Sequence, residues 1–200
     1  MERTSLIKKA LILEWVLIGY NALEGIASIL AGWWAGSIAL VGFGLDSFIE
    51  ISAASILIWR LSHRGTLEEE TKKEKKALRF IGVTFFLLAA YVIYESAGKL
   101  LRHEQPDSSV IGMIIALLSL MVMPYLGLAK RKIAREIESR ALEADSMETL
   151  ICAYLSFTLL LGLGLNTFFG WWWADPAAGL AMVYFIIKEG WEAVRGEHCC

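Results

Sequence analysis

Apolar and polar positions along this 200-residue chain fall into long blocks rather than short alternations. Six runs rich in Leu, Ile, Val, Ala and Phe approach the ~20 residues that a helix needs to cross about 30 Å of hydrocarbon. They predict helices over residues 9–31, 36–59, 80–101, 109–129, 144–169 and 174–194. Barrel strands would alternate every second residue, so runs this long read as membrane-crossing helices. The expectation is an all-α polytopic membrane protein, one six-helix transmembrane domain over 1–200. Basic connections fall at 60–79 and 130–140, with a short tail at 195–200. The 60–79 stretch mixes LEEE with KKEKK and is expected to continue a helix past the membrane. No short apolar block with a small-residue cleavage site precedes the first run, so no signal peptide is expected.

Composition agrees with that pattern. Hydrophobic residues make up 56% and charged ones 20%, against about 45–50% and 25% in soluble domains, and mean hydropathy is +0.54. A net charge of −2 excludes a basic nucleic-acid binder. Lysines and arginines decide orientation. With the amino end inside, three lie near that end, seven between Arg60 and Arg79, five between Lys130 and Arg140, and two are Lys188 and Arg195, together 17 of 19. Both termini are therefore expected in the cytoplasm, with only Lys99 and Arg102 outside. Trp33–Trp34 and Trp171–Trp173 fall in the outer connections, at headgroup level. Missing targeting signals favour a prokaryotic plasma membrane. No Walker-type glycine loop occurs, which excludes ATP-driven transport by this chain alone. Nor does any span hold a His, or a Ser or Cys with a neighbouring base, so an enzyme is not expected.

Ionisable groups inside a span cost a few kcal/mol and mark ion pathways or buried pairs. Asp46 and Glu50 stand four residues apart in GSIALVGFGLDSFIEISAAS, which turns both carboxylates to one helix face. With no Lys or Arg in that span they repel each other unless a cation or protons intervene. Protonated acids, or hydrogen bonds to Ser, are the plainer alternative. On the fifth helix Asp145, Glu148 and Cys152 lie within an arc of about 60°. Carboxylate, carboxylate and thiol on one stripe complete a candidate site with Asp46 and Glu50, of a donor mix suited to a tetrahedral divalent metal such as zinc. Against this, Asp145 and Glu148 also read as helix-start acids, and Cys152 as an apolar filler.

Other polar positions carry weaker signals. Glu24, Asn21 and Glu14 share one side of the first helix. Glu24 reads as deep, a supporting acid, a transient ligand or a proton carrier, whereas Glu14 is expected to snorkel at the inner boundary. Glu95 and Lys99 have salt-bridge spacing. Asp175 before Pro176 reads first as the cap of its own helix and second as an exit-side ligand, and Pro124 as a kink. His198, Cys199 and Cys200 in the tail are soft-metal ligand types.

The segment AGWWAGSIALVGFGLDSFIEISAASILIWR resembles the second membrane helix of cation diffusion facilitators, where a GS-x-A-L run precedes two acids spaced D-x-x-x-D. AAYVIYESAGKL, ALEADSMETL and ADPAAGLAMVYFIIKEGWEAVR agree in order and place with the family's third, fifth and sixth helices. The resemblance implies a homodimeric secondary transporter in the lipid bilayer that exports a divalent metal in exchange for protons. Zinc stands first, with manganese, iron, cobalt, nickel or cadmium as alternatives. The family takes two ligands from the second helix and two from an H-x-x-x-D motif on the fifth. Carried over, they fall on Asp46 and Glu50, and on Glu148 and Cys152. Three of the four depart from the pattern: Glu for Asp at 50, Glu for His at 148 and Cys for Asp at 152. Without the His, proton coupling rests on buried carboxylates. The sequence stops after the sixth helix, where typical members continue into a cytoplasmic metal-binding domain. A non-transporting membrane protein of the same fold, with a structural, metal-sensing or assembly role, is the alternative.

Overall fold

The computed structural model describes residues 2–62, 67–103, 107 and 109–195. Six helices follow one another: α1 (Glu2–Ala35), α2 (Ile38–Ser62), α3 (Leu67–Arg102), α4 (Val110–Glu136), α5 (Arg140–Phe169) and α6 (Ala174–Arg195). No strand occurs among the described residues. Among the described residues, four stretches, Thr4–Ala35, Ile38–Leu61, Val110–Glu136 and Ala141–Phe169, are long and apolar enough to cross a membrane.

The helices outrun the apolar blocks. α1 has 34 residues and α3 has 36, each about 50 Å long. Their polar ends are rich in Glu, Lys and Arg, good helix formers, so the backbone ladder continues where hydrocarbon stops. α4 likewise runs to Glu136, well past Lys130, and Pro124 sits inside it without ending it. Turn chemistry sets the breaks. Gly36 (φ 62°) turns the chain between α1 and α2 and Gly170 (φ 66°) closes α5. Ser109 Oγ accepts from Gly112 N at 3.0 Å, capping α4.

Adjacent helices pair as α1 with α2, α4 with α5, and α3 with α6 across the chain, while α2 also packs on α3, α5 and α6. Leu17, Phe43, Met123, Leu159, Met182 and Ile186 interlock in the core. Several crossings are close enough to demand glycine. A Cβ on Gly44 would stand 2.9 Å from the Gly25 carbonyl oxygen, and one on Gly82 2.7 Å from that of Gly190. Small residues permit such approach between membrane helices. Ile111, Ile114, Leu118, Met121 and Tyr125 form an exposed stripe on α4, the face such a helix turns to lipid.

Two expectations about outer-end charges are corrected. Asp175 is fully buried and does not cap α6; it accepts from Ser37 Oγ and from Ile38 N (3.1 Å), capping α2 instead. α6 already begins at Ala174, leaving the carboxylate free to reach the unsatisfied N–H groups of a neighbouring helix. Lys99 donates to the Gly36 carbonyl, not to Glu95, and ties α3 to the α1–α2 turn.

Candidate metal site

Asp46 and Glu50 leave α2 on its inward face and are 5% and 3% exposed. Small neighbours on α2 let α1 close over them, which brings Asn21 Nδ2 to 2.6 Å from Glu50 Oε2. The other Glu50 oxygen, Oε1, makes no hydrogen bond among the described residues. Asp46 and Glu24 both face Glu50 closely enough for like-charge repulsion. From α5, Glu148 reaches inward half-buried, and Cys152 is a buried free thiol turned toward Glu50.

These four side chains line one small cavity of about 10 Å³, walled otherwise by Phe85, Ile151, Leu155, Phe185 and Ile186. That is room for a single water-sized particle; a bare divalent ion fits, a hydrated one does not. Three carboxylates, a thiol and an apolar wall offer mixed oxygen and sulfur donors in a water-poor chamber. The donors share the chamber without converging: among the described residues no three His, Cys, Asp or Glu side chains are close enough to hold one ion.

Glu24 and Asp145, the other two candidates, do not line this cavity. Glu24 is buried one layer behind it, where Ser47 Oγ donates to it at 3.0 Å and the Tyr20 and Ser119 hydroxyls face it. Asp145 pairs with Lys130, whose ammonium lies 2.5 Å from Asp145 Oδ2 and 2.9 Å from Glu14 Oε2. Neither Lys130 nor Glu14 is exposed. Glu14 therefore does not snorkel, and Lys130 does not belong to a solvated connection. Because α4 continues beyond it, Lys130 projects into the bundle, and an acid placed beside it gains more by pairing than by reaching for water. Sequence reasoning missed Lys130 and undervalued Asn21; the largely apolar run YLGLA just before Lys130 was the available signal. His198, Cys199 and Cys200 lie outside the described residues.

Residues 15–196 match the family described as the cation efflux transmembrane domain. The chain belongs to the cation efflux family. The match takes in α2 to α6 whole and most of α1. Among similar cation efflux proteins is the cation-efflux pump FieF of Klebsiella pneumoniae, 27% identical over 177 residues that cover 84% of this chain and 59% of the pump. Transmembrane protein 163 of Xenopus laevis is 23% identical over 184 residues, 92% of this chain and 65% of that protein. FieF of Salmonella typhi is 25% identical over 175 residues, 84% and 58% respectively. The chain thus spans about three-fifths of the length of these curated relatives. The family resemblance and the all-helical bundle read from the sequence are both shown.

Proposed function

We propose that this cation efflux protein exports a divalent transition-metal ion, zinc first, from the cytoplasm in exchange for protons. Asp46, Glu50, Glu148 and Cys152 take up the ion. In this reading α3 and α6 also span the membrane, both termini are cytoplasmic, and two copies associate. One observation carries it: acids from α2 and an acid and a thiol from α5 line a single cavity the size of one unhydrated ion. Neighbouring carboxylates in so dry a place are compensated by a doubly charged ion or by protons. Binding releases protons because the donors must be deprotonated, and proton return from the far side frees the ion. Small rotations of the Glu50 and Glu148 side chains bring their oxygens together, since each has rotatable bonds and Glu50 Oε1 has no hydrogen-bond partner among the described residues. Kept on the side are Glu24 and Asp145, which flank the donors without lining the chamber.

Uptake into proteoliposomes under an imposed proton gradient tests this. Zinc uptake, and the thermal stabilisation that zinc gives, are expected to vanish in Asp46→Asn plus Glu50→Gln. Persistence of both in that variant overturns the reading. The lack of convergence among the donors favours one competitor, a non-transporting member of the fold. Its signature is a wild-type protein whose melting temperature no divalent ion raises.

A further inference from the structure

Among the described residues Lys130 is the one Lys or Arg that is fully buried, and the export chemistry above makes no use of it. Three side chains converge on its ammonium: Asp145 at 2.5 Å and Thr149 Oγ1 at 3.4 Å, both on α5, and Glu14 at 2.9 Å on α1. Buried ion pairs add little net stability compared with apolar packing, so the arrangement is costly to keep unless it sets a geometry. Its place indicates which geometry. Asp145, Glu148 and Cys152 lie within about 60° of azimuth on one stiff helix. Thr149 lies on the other flank of Asp145, about 40° round. A cation gripping positions 145 and 149 therefore clamps one flank of the stripe, and the cavity donors Glu148 and Cys152 occupy the other. Glu14 and the α4 backbone hold the clamp from two further helices. A turn of α5 by one residue step, about 100°, would carry both donors out of the cavity.

We propose that Lys130 is a positioning residue for metal binding: by gripping Asp145 and Thr149 it fixes the rotation of α5 that presents Glu148 and Cys152 to Asp46 and Glu50. This rests on the four-donor reading of the site. Metal-ligand supports of this kind change affinity about 10- to 100-fold when removed.

The test uses cadmium ions on the whole protein in detergent micelles. Cys199→Ser and Cys200→Ser are introduced as background so that Cys152 is the remaining thiol. Cadmium bound to a thiolate absorbs in the ultraviolet, which reports sulfur ligation per bound ion. The expected result for Lys130→Gln is cadmium affinity at least about tenfold weaker, with less thiolate absorption per bound ion, because Asp46 and Glu50 retain the ion without sulfur. A merely stabilising lysine would lower the melting temperature and leave the sulfur share unchanged, which overturns the proposal. Tighter binding in Lys130→Gln also overturns it, since Lys130 would then be blocking Asp145 as a ligand. Should Lys130→Gln fail to fold with two acids left facing each other, the neutral Glu14→Gln, Lys130→Met, Asp145→Asn variant decides by the same two readouts. If the background protein itself shows no Cys152-dependent absorption, the four-donor reading fails first and takes the proposal with it.

Discussion

Asp175 offers the sharpest test of how the bundle is held at its outer end. It is fully buried and accepts from Ser37 Oγ and Ile38 N, so it serves α2 as a cap supplied by α6. Asp175→Asn keeps the shape but leaves one acceptor oxygen where there were two, and aims an amide N–H₂ at a donor. Hydrogen bonds to a charged group contribute about 1.5–3 kcal/mol, and losing an N-cap costs about 1 kcal/mol. The two overlap, so the expected loss is about 2–4 kcal/mol. For a chain of this length, 1 kcal/mol moves the melting temperature by roughly 2–4 °C, giving a fall of order 10 °C. Tryptophan fluorescence during heating in detergent measures it directly. Ser37→Ala removes the bond to Asp175 and also the acceptor of Leu40 N (3.1 Å), so it should cost a comparable amount, and the double variant should fall short of the sum because the two residues share one bond. An Asp175→Asn protein melting within about 1 °C of the parent would refute the cap.

Three further outcomes follow from packing and donor chemistry. Gly44→Val places its Cβ 2.8 Å from Ile29 Cγ1 and 2.9 Å from the Gly25 carbonyl oxygen, and should abolish the folded peak in detergent chromatography. Gly19→Ala, with nothing within 4 Å of the added carbon, should instead gain up to about 1 kcal/mol through helix propensity. In the proposed site Cys152→Ser would replace a soft donor by a hard one, so the ratio of cadmium to manganese affinity, measured by competition titration, should fall.

Much of the fold was readable because a membrane imposes one-dimensional rules. An apolar run near 20 residues means a helix, and Asp46 and Glu50 four apart must share a face. What escaped depends on distance along the chain. Asp175 finds its donors 137 and 138 residues away, and nothing in ADP distinguishes capping its own helix from capping another. Lys130 looked like the first of a basic run because Arg131 and Lys132 follow it. Only the depth of α4 reveals that it is fully buried in the bundle while Arg131 is half-buried and Lys132 exposed. The i, i+4 spacing of Glu95 and Lys99 misled for the same reason: a bare turn carbonyl at Gly36 competes successfully for the ammonium. Placing Asp145, Glu148 and Cys152 on one stripe was sound helix geometry, but a stripe can face two environments. Asp145 meets a lysine and the other two meet the cavity.

The glycine crossings carry a mechanical consequence. Gly25 with Gly44 seals α1 to α2, Gly82 with Gly190 seals α3 to α6, and a Cβ on Gly127 would stand 2.8 Å from Leu150, sealing α4 to α5. Backbones this close slide poorly, so each pair forms a stiff jaw, and one seam is tied as well: a Cβ on Gly162 would stand 2.6 Å from Ala178 Cβ, across α5 and α6. Asp46 and Glu50 ride one jaw, Glu148 and Cys152 another. On the proposed four-donor reading, a relative shift of the two jaws would part an ion from half its donors at a stroke, so the motion that opens a path would also loosen the grip.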